Sequence, residues 1–204
     1  MNKRKNGIET YSRILVMASE LFAKSGFDGV SMQEIAEKAG IKESSIYNHF
    51  TNKAEILDSL FNRFVQEVPQ SRPTQAELNE NLKIMTPQEL LMQILLSASP
   101  AIGGMFANTA MIIDLEKFKN PRAAKLYYQY IIEEPTAFYA QLFANMAQRG
   151  MIREFDFLLL AEQYNYTCIA LIKEYYMAKN GFSSIQTVMA KISKSIRFYC
   201  TLMK

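Results

Sequence analysis

Apolar residues recur at helical spacing along nearly the whole chain. Ile14, Leu15, Ala18, Leu21 and Phe22 fall on one face at a period near 3.6 residues, which predicts a first helix ending near Gly26. Ser31 followed three residues later by Glu34 is a capping box, so a second helix starts at about Met32 and turns Ile35, Ala36 and Ala39 inward. Gly40 then allows a turn without a Cβ penalty. The next element, residues 42–49, has Ile46 as its one purely aliphatic position. A fourth helix runs from Asn52 through Leu57, Leu60, Phe61, Phe64 and Val65 until VPQSRP, where Pro69 and Pro73 cannot continue it. That segment is the expected domain boundary or hinge.

The remainder shows no strand alternation, no internal repeat and no low-complexity tract. Thr74 with Glu77, and Thr86-Pro87 with Glu89, mark two more helix starts, the second followed by Leu90, Leu91, Ile94 and Leu95 at core spacing. Pro100 and Gly103-Gly104 break the chain before an apolar segment from Met105 to Phe118. Asn120-Pro121 starts a helix through Leu126, Tyr127, Tyr130 and Ile131; Pro135 should kink or restart it and Gly150 ends it. Asp156 can cap a helix reaching about residue 180, and Ser183 or Ser184 one from about residue 185 to the C-terminus. The expected fold is all-α. An N-terminal three-helix helix-turn-helix domain (1–57) precedes a larger helical domain (58–204).

Composition narrows the class. A chain of 204 residues is long enough for one small and one larger core. No apolar run approaches the ~18 residues that cross a bilayer, and the basic start MNKRKNGIET lacks the apolar stretch of a secretory signal. Cys168 and Cys200 both sit in apolar helical patterns and read as buried reduced thiols, so the expected location is cytoplasmic and without membrane contact. His49 is the single histidine and lies far in sequence from both cysteines, and no glycine-rich phosphate loop is present. No catalytic residue, metal site or cofactor is therefore expected. The net charge of +3 decides little, but Lys3, Arg4 and Lys5 stand together in an N-terminal arm. Such an arm is either a solvated tail or a phosphate or minor-groove contact.

Residues 42–49 carry the strongest functional signal. Glu43, Ser44, Ser45, Tyr47, Asn48 and His49 present donors and acceptors around Ile46, too polar a surface for a purely structural helix. In their setting they resemble the TetR family of bacterial transcriptional regulators. Leu21-Phe22, Gly26, Ser31, Ile35-Ala36, Ala39-Gly40, Ile41, Tyr47, Phe50 and Lys53 stand in that family's order without a gap, over roughly residues 10–57. The chain departs from the pattern where Lys42 replaces the usual Ser or Thr and Ser44 replaces a frequent Gly, so the third helix lacks its usual N-cap. The resemblance implies a DNA-reading surface of Lys42, Glu43, Ser44, Ser45, Tyr47, Asn48 and His49. Ser31, Tyr47 and Lys53 are expected on phosphates, and Lys3 and Arg4 join them if the arm touches DNA.

It also implies a homodimer on a palindromic double-stranded operator, since a lone recognition helix reads too few base pairs. Along the last helix Ile185, Val188, Met189, Ile192, Ile196 and Tyr199 form one apolar stripe, while the preceding helix is apolar on more than one side and includes Leu171 and Tyr175. These two helices either bury their stripes in one subunit's core or pair with a twofold mate as a four-helix bundle. Family resemblance favours the bundle. It further implies a small-molecule effector in the larger domain, hydrophobic or amphipathic, whose binding releases a repressor from DNA. Met92, Met105, Phe106, Met111, Phe118, Tyr128, Phe143 and Tyr164 are the expected lining, with Asp114 a polar anchor unless it pairs with Lys117 or Lys119. A helical scaffold or adaptor that has lost DNA binding is the alternative function.

Overall fold

Most helices here begin where a short polar side chain satisfies an orphan N–H. The computed structural model describes residues 2–98 and 104–204, and the side chains of all of these except 2–6, 71 and 98. The expected break at Pro100 and Gly103, and the side chains of Lys3, Arg4 and Lys5, lie outside the described residues. Among the described residues every regular element is helical: α1 (Asn2–Ser25), α2 (Met32–Lys38), α3 (Glu43–Ile46), α4 (Lys53–Glu67), α5 (Gln75–Ile84), α6 (Pro87–Ala98), α7 (Gly104–Glu116), α8 (Pro121–Tyr127), α9 (Glu134–Gln148), α10 (Phe157–Lys179) and α11 (Ile185–Leu202). A 3-10 turn (Val68–Ser71) follows α4, and a π-helical turn (Tyr128–Glu133) joins α8 to α9.

The caps explain the boundaries. Ser31 Oγ accepts from the Glu34 N–H at 3.2 Å while Glu34 accepts from the Ser31 N–H at 2.7 Å, and Thr74 with Glu77 and Thr86 with Glu89 repeat this geometry. Asn52, Asp156 and Ser184 cap α4, α10 and α11. The backbone N–H and hydroxyl of Ser31, Thr51, Thr74 and Thr86 hold the carboxyls of Glu34, Glu55, Glu77 and Glu89 below the usual carboxylate range.

Two features differ from the sequence pattern. α1 begins at Asn2, so the backbone of the basic arm is helical. The third helix is a single turn whose N-cap, Lys42, makes no side-chain cap hydrogen bond; beyond Ile46 the i→i−4 pattern gives way to tighter turn bonds, with His49 N–H to Ile46 O at 2.9 Å. At Pro135 the helix restarts as expected, with α9 starting at Glu134, and the π-turn precedes it.

Packing groups the chain into two compact units, Met1–Pro69 with Ile102–Tyr127 and Gln70–Ala101 with Tyr128–Lys204. The first unit thus takes in α7 and α8, more than residues 1–57. Its core includes Ile14, Phe22, Ile35, Ile46, Phe50, Ile56, Phe61, Ile112 and Ile113. The second closes around Leu90, Leu142, Phe143, Met146, Ala161, Tyr164, Val188 and Ile196. Cys168 belongs to that core, and burial pushes its thiol up to about 12.

The expected dimer stripe needs correction. Leu171, Val188, Ile192, Ile196 and Tyr199 are buried within their own subunit's second core, with Tyr175 and Met189 packed against it, and only Ile185 of the eight is exposed. The reason is that α11 must pack on α10 and α6 to close this unit, and its single strong apolar face is used up doing so. Ile196→Lys would place an unpaired ammonium in a site 1% exposed. The expected outcome is a loss on the order of 3 kcal/mol or more in chemical denaturation, whereas Gln186→Lys on the exposed side should stay within about 0.5 kcal/mol. Equal midpoints for the two variants would contradict this packing.

Candidate nucleic-acid interface

The third helix is held by one buried side chain and offers the rest outward. Ile46 is fully buried, whereas Lys42, Glu43, Ser44, Tyr47 and Asn48 are exposed and Ser45 and His49 half-exposed. Immediately after it Phe50 enters the core and stacks on Tyr11 of α1, ring centroids 4.8 Å apart. The turns around this element need left-handed backbone at Gly26 (φ 75°) and Gly40 (φ 66°), which fixes the α1–α2 and α2–α3 corners at residues without a Cβ. The seven expected base-facing or backbone-facing residues of 42–49 therefore share one polar, accessible element. Five of them carry amide, carboxylate or hydroxyl groups able to hydrogen-bond DNA.

Two expected phosphate contacts are already occupied. The Lys53 ammonium donates to the carbonyls of Phe27 and Val30 at 2.6 Å each and sits 4.4 Å from the centroid of the Phe27 ring. Lys53 is thus a brace that ties the start of α4 to the α1–α2 corner, in place of the phosphate contact expected of it. Ser31 likewise spends its hydroxyl on Glu34, donating at 2.8 Å and accepting at 3.2 Å.

Sequence reasoning missed the supports from α7 and α8. Glu116 accepts from the Phe27 N–H at 3.4 Å, Lys119 pairs with Asp28 at 3.3 Å, and Asn108 donates to the buried Ser19 hydroxyl at 3.2 Å. Arg122 binds Asp58 and, at 2.6 Å, Asn62, with its guanidinium over the Phe61 ring. These partners lie 60 to 91 residues apart in sequence, so no local pattern announces them.

The nine expected effector residues do not converge. Met105, Phe106, Met111, Asp114 and Phe118 belong to the first unit, and Met92, Tyr128, Phe143 and Tyr164 to the second. Phe106 stacks on Phe64, Phe118 is 88% exposed, and Asp114 pairs with Lys117 at 2.8 Å. Phe143 and Tyr164 pack edge-to-face in the second core, and the Tyr164 hydroxyl is buried beside the Cys168 thiol. None of the nine lines the apolar cavity of about 200 Å³ in the second unit, whose walls are Leu95, Leu96, Ile172, Tyr175, Ile185, Met189 and Ile192. Four of those wall residues were expected at a dimer interface. Met and aromatic content marks packing and cavity alike, which is why composition could not separate them. Among the described residues no cluster of His, Cys, Asp and Glu could hold a metal, and no helix is long and apolar enough to cross a membrane.

A capped helix, a glycine turn and a short polar helix anchored by one isoleucine define a helix-turn-helix unit. Residues 14–60 match the family model of bacterial regulatory proteins, tetR family. Over 70 residues the chain is 33% identical to the HTH-type transcriptional activator FasR of Mycolicibacterium smegmatis, covering 33% of this chain and 32% of that protein; the match spans about a third of the relative's length. Two solved structures share the fold over nearly all of the chain. A TetR-family transcriptional regulator from Mesorhizobium loti is 20% identical with TM-score 0.65, covering 96% of each chain. A transcriptional regulator from Saccharomonospora viridis is 21% identical with TM-score 0.68, covering 94% of this chain and 95% of that one. Residues 14–60 are thus similar to the DNA-binding region of tetR-family regulators, and the whole chain shares the fold of those two solved regulators.

Lys53→Met keeps the aliphatic stem over Phe27 and removes the donor from two carbonyls. It should destabilise the first unit by about 1–3 kcal/mol. Denaturation of the variant checks this. Unchanged stability with a shallower salt dependence of DNA binding would return Lys53 to the phosphates.

Proposed function

We propose that the chain is a sequence-specific DNA-binding transcriptional regulator, a repressor that binds a palindromic operator as a homodimer and is released by a small hydrophobic or amphipathic effector. The observation that carries this reading is the polar, exposed set at 42–49 held on the buried Ile46. In it residues 1–57 read DNA and residues 58–204 bind the effector and dimerise, in the cytoplasm. Tyr47 and Lys42 bind phosphates, while Glu43, Ser44, Ser45, Asn48 and His49 face base edges. The helical arm adds Lys3 and Arg4, and Ser31 stays near the backbone through its exposed cap.

Dimerisation uses the outer surfaces of the last two helices. Leu159, Tyr166 and Met177 lie along one exposed line of α10, and Phe198 and Leu202 along one of α11. Lone apolar residues on a surface mean little, but two such lines on neighbouring helices suit a four-helix bundle. The effector fits the apolar cavity walled by Ile172, Tyr175 and Met189. Its volume compares with cavities that hold a benzene-sized guest. The Saccharomonospora viridis regulator was solved in complex with choline, which supports a small guest in this fold.

A gel shift with DNA from upstream of the chain's own coding sequence tests the reading. Tyr47→Phe should weaken binding to all sequences by a similar factor, and Asn48→Ala should cost about 1–3 kcal/mol at one or two base pairs. Operator titrations unchanged by both substitutions would favour the adaptor reading. Replacing Leu159 and Met177 by Glu should yield a folded monomer in light scattering, with operator affinity reduced by on the order of 10²-fold or more as each half-site binds alone. A wild-type chain that is monomeric at micromolar concentration would refute the dimer.

A further inference from the structure

Pro135 has no N–H, so in an uninterrupted α-helix the Ile131 carbonyl four residues back would lose its donor and meet the proline ring. The chain answers with the π-turn Tyr128–Glu133, which absorbs one extra residue. Asn165 of α10, 3% exposed, supplies the missing donor: its Nδ2 reaches Ile131 O at 3.0 Å, Ile132 O at 3.3 Å and Thr136 Oγ1 at 3.3 Å. A second clamp comes from Arg72, which donates to Glu134 at 3.0 Å and to Tyr130 O at 3.4 Å, while Gln129 holds the other Glu134 oxygen at 3.1 Å.

The position of this turn is as telling as its bonds. Within the described residues the chain passes from one packing unit to the other at two places, first between Pro69 and Gln70, inside the 3-10 turn Val68–Ser71, and then between Tyr127 and Tyr128, where the π-turn begins. At both crossings the backbone leaves α geometry, and Arg72 ties the segment after the first to the second. On one side α8 is fixed in the first unit by Arg122; on the other α9 packs in the second core.

We propose that the π-turn Tyr128–Glu133 is a register switch, held in its π form by Asn165 and Arg72, through which events on α10 reach the DNA-reading unit. Losing the extra residue's bulge would turn the helix on one side of it by about 100° and move it about 1.5 Å along its axis. Asn165 shares α10 with the cavity residues Ile172 and Tyr175, about two and three turns further on, so a guest that displaces this helix acts directly on the donor that locks the turn. The regulatory half of this proposal rests on the DNA-binding reading above; the two-register half does not.

Hydrogen exchange by mass spectrometry on the full chain separates them. In the DNA-free protein Pro135→Ala restores a backbone donor for Ile131 O and should slow exchange across 128–136 by about fivefold, whereas Asn165→Leu should speed it by about tenfold. With the upstream DNA fragment bound to the wild type, exchange of the same segment should change by at least about threefold. Pro135→Ala costs no hydrogen bond, so it carries the test if Asn165→Leu fails to fold. Exchange at 128–136 unaltered in Pro135→Ala overturns the switch. A clear gel shift with unaltered exchange in that segment overturns its link to DNA, and no gel shift at all refutes the DNA-binding reading and the regulatory half with it.

Discussion

A four-residue helix cannot sustain itself in water, because fixing the first turn costs more than its few hydrogen bonds return. α3 exists because Ile46 and Phe50 are buried against α1 and α2, with Tyr11 stacked on Phe50. Everything the first unit can do to a ligand follows from that division of labour. Two apolar side chains supply the free energy of docking, so the intervening and preceding positions are released from packing and can be chosen for chemistry. A longer amphipathic helix would have spent more of its circumference on the core. The uncapped start at Lys42 belongs to the same economy: the position gives up a cap and leaves an exposed cation beside the polar set.

The first unit also uses its cations internally. Lys53 holds two carbonyls, Lys38 pairs with Glu20, Lys119 with Asp28, and Arg122 with Asp58. Exposed pairs of this kind add little each. Lys53 differs because its ammonium replaces water at two carbonyls of a corner that has no other secondary structure, and the Phe27 ring covers it. Net charge was therefore a poor guide to where phosphate contacts could form, since much of the positive charge near the helix-turn-helix is spent on its own architecture.

Local chemistry made most elements legible in the sequence. Ser31-Glu34, Thr74-Glu77 and Thr86-Glu89 are read from spacing alone because a capping box is closed within four residues, and all three form. The accessible set at 42–49 was legible for the same reason: one aliphatic among polar residues has only one way to face a core. What stayed hidden depends on distant partners. Nothing around Arg122 indicates Asp58, and nothing around Asn165 indicates that a proline 30 residues earlier has orphaned a carbonyl. The stripe on α11 was read correctly as one apolar face, yet periodicity says that a face is buried and never against what.

α10 shows why its two-sided apolar character could not be assigned in advance. One side, with Ala161, Tyr164, Cys168 and Leu171, closes the second core. A second side, with Leu159, Tyr166 and Met177, is exposed. Between them Ile172 and Tyr175 wall a cavity, and Asn165 sits buried in the core with its amide on the π-turn. A helix that serves only a core can drift in small steps as its neighbours repack. One whose buried amide is committed to specific carbonyls cannot, because shifting it by a fraction of a turn leaves polar groups unpaired where water does not reach, at about 1–3 kcal/mol for each. Such a helix has few acceptable positions instead of a continuum, and discrete positions are what a protein needs if occupancy of a cavity is to be felt elsewhere.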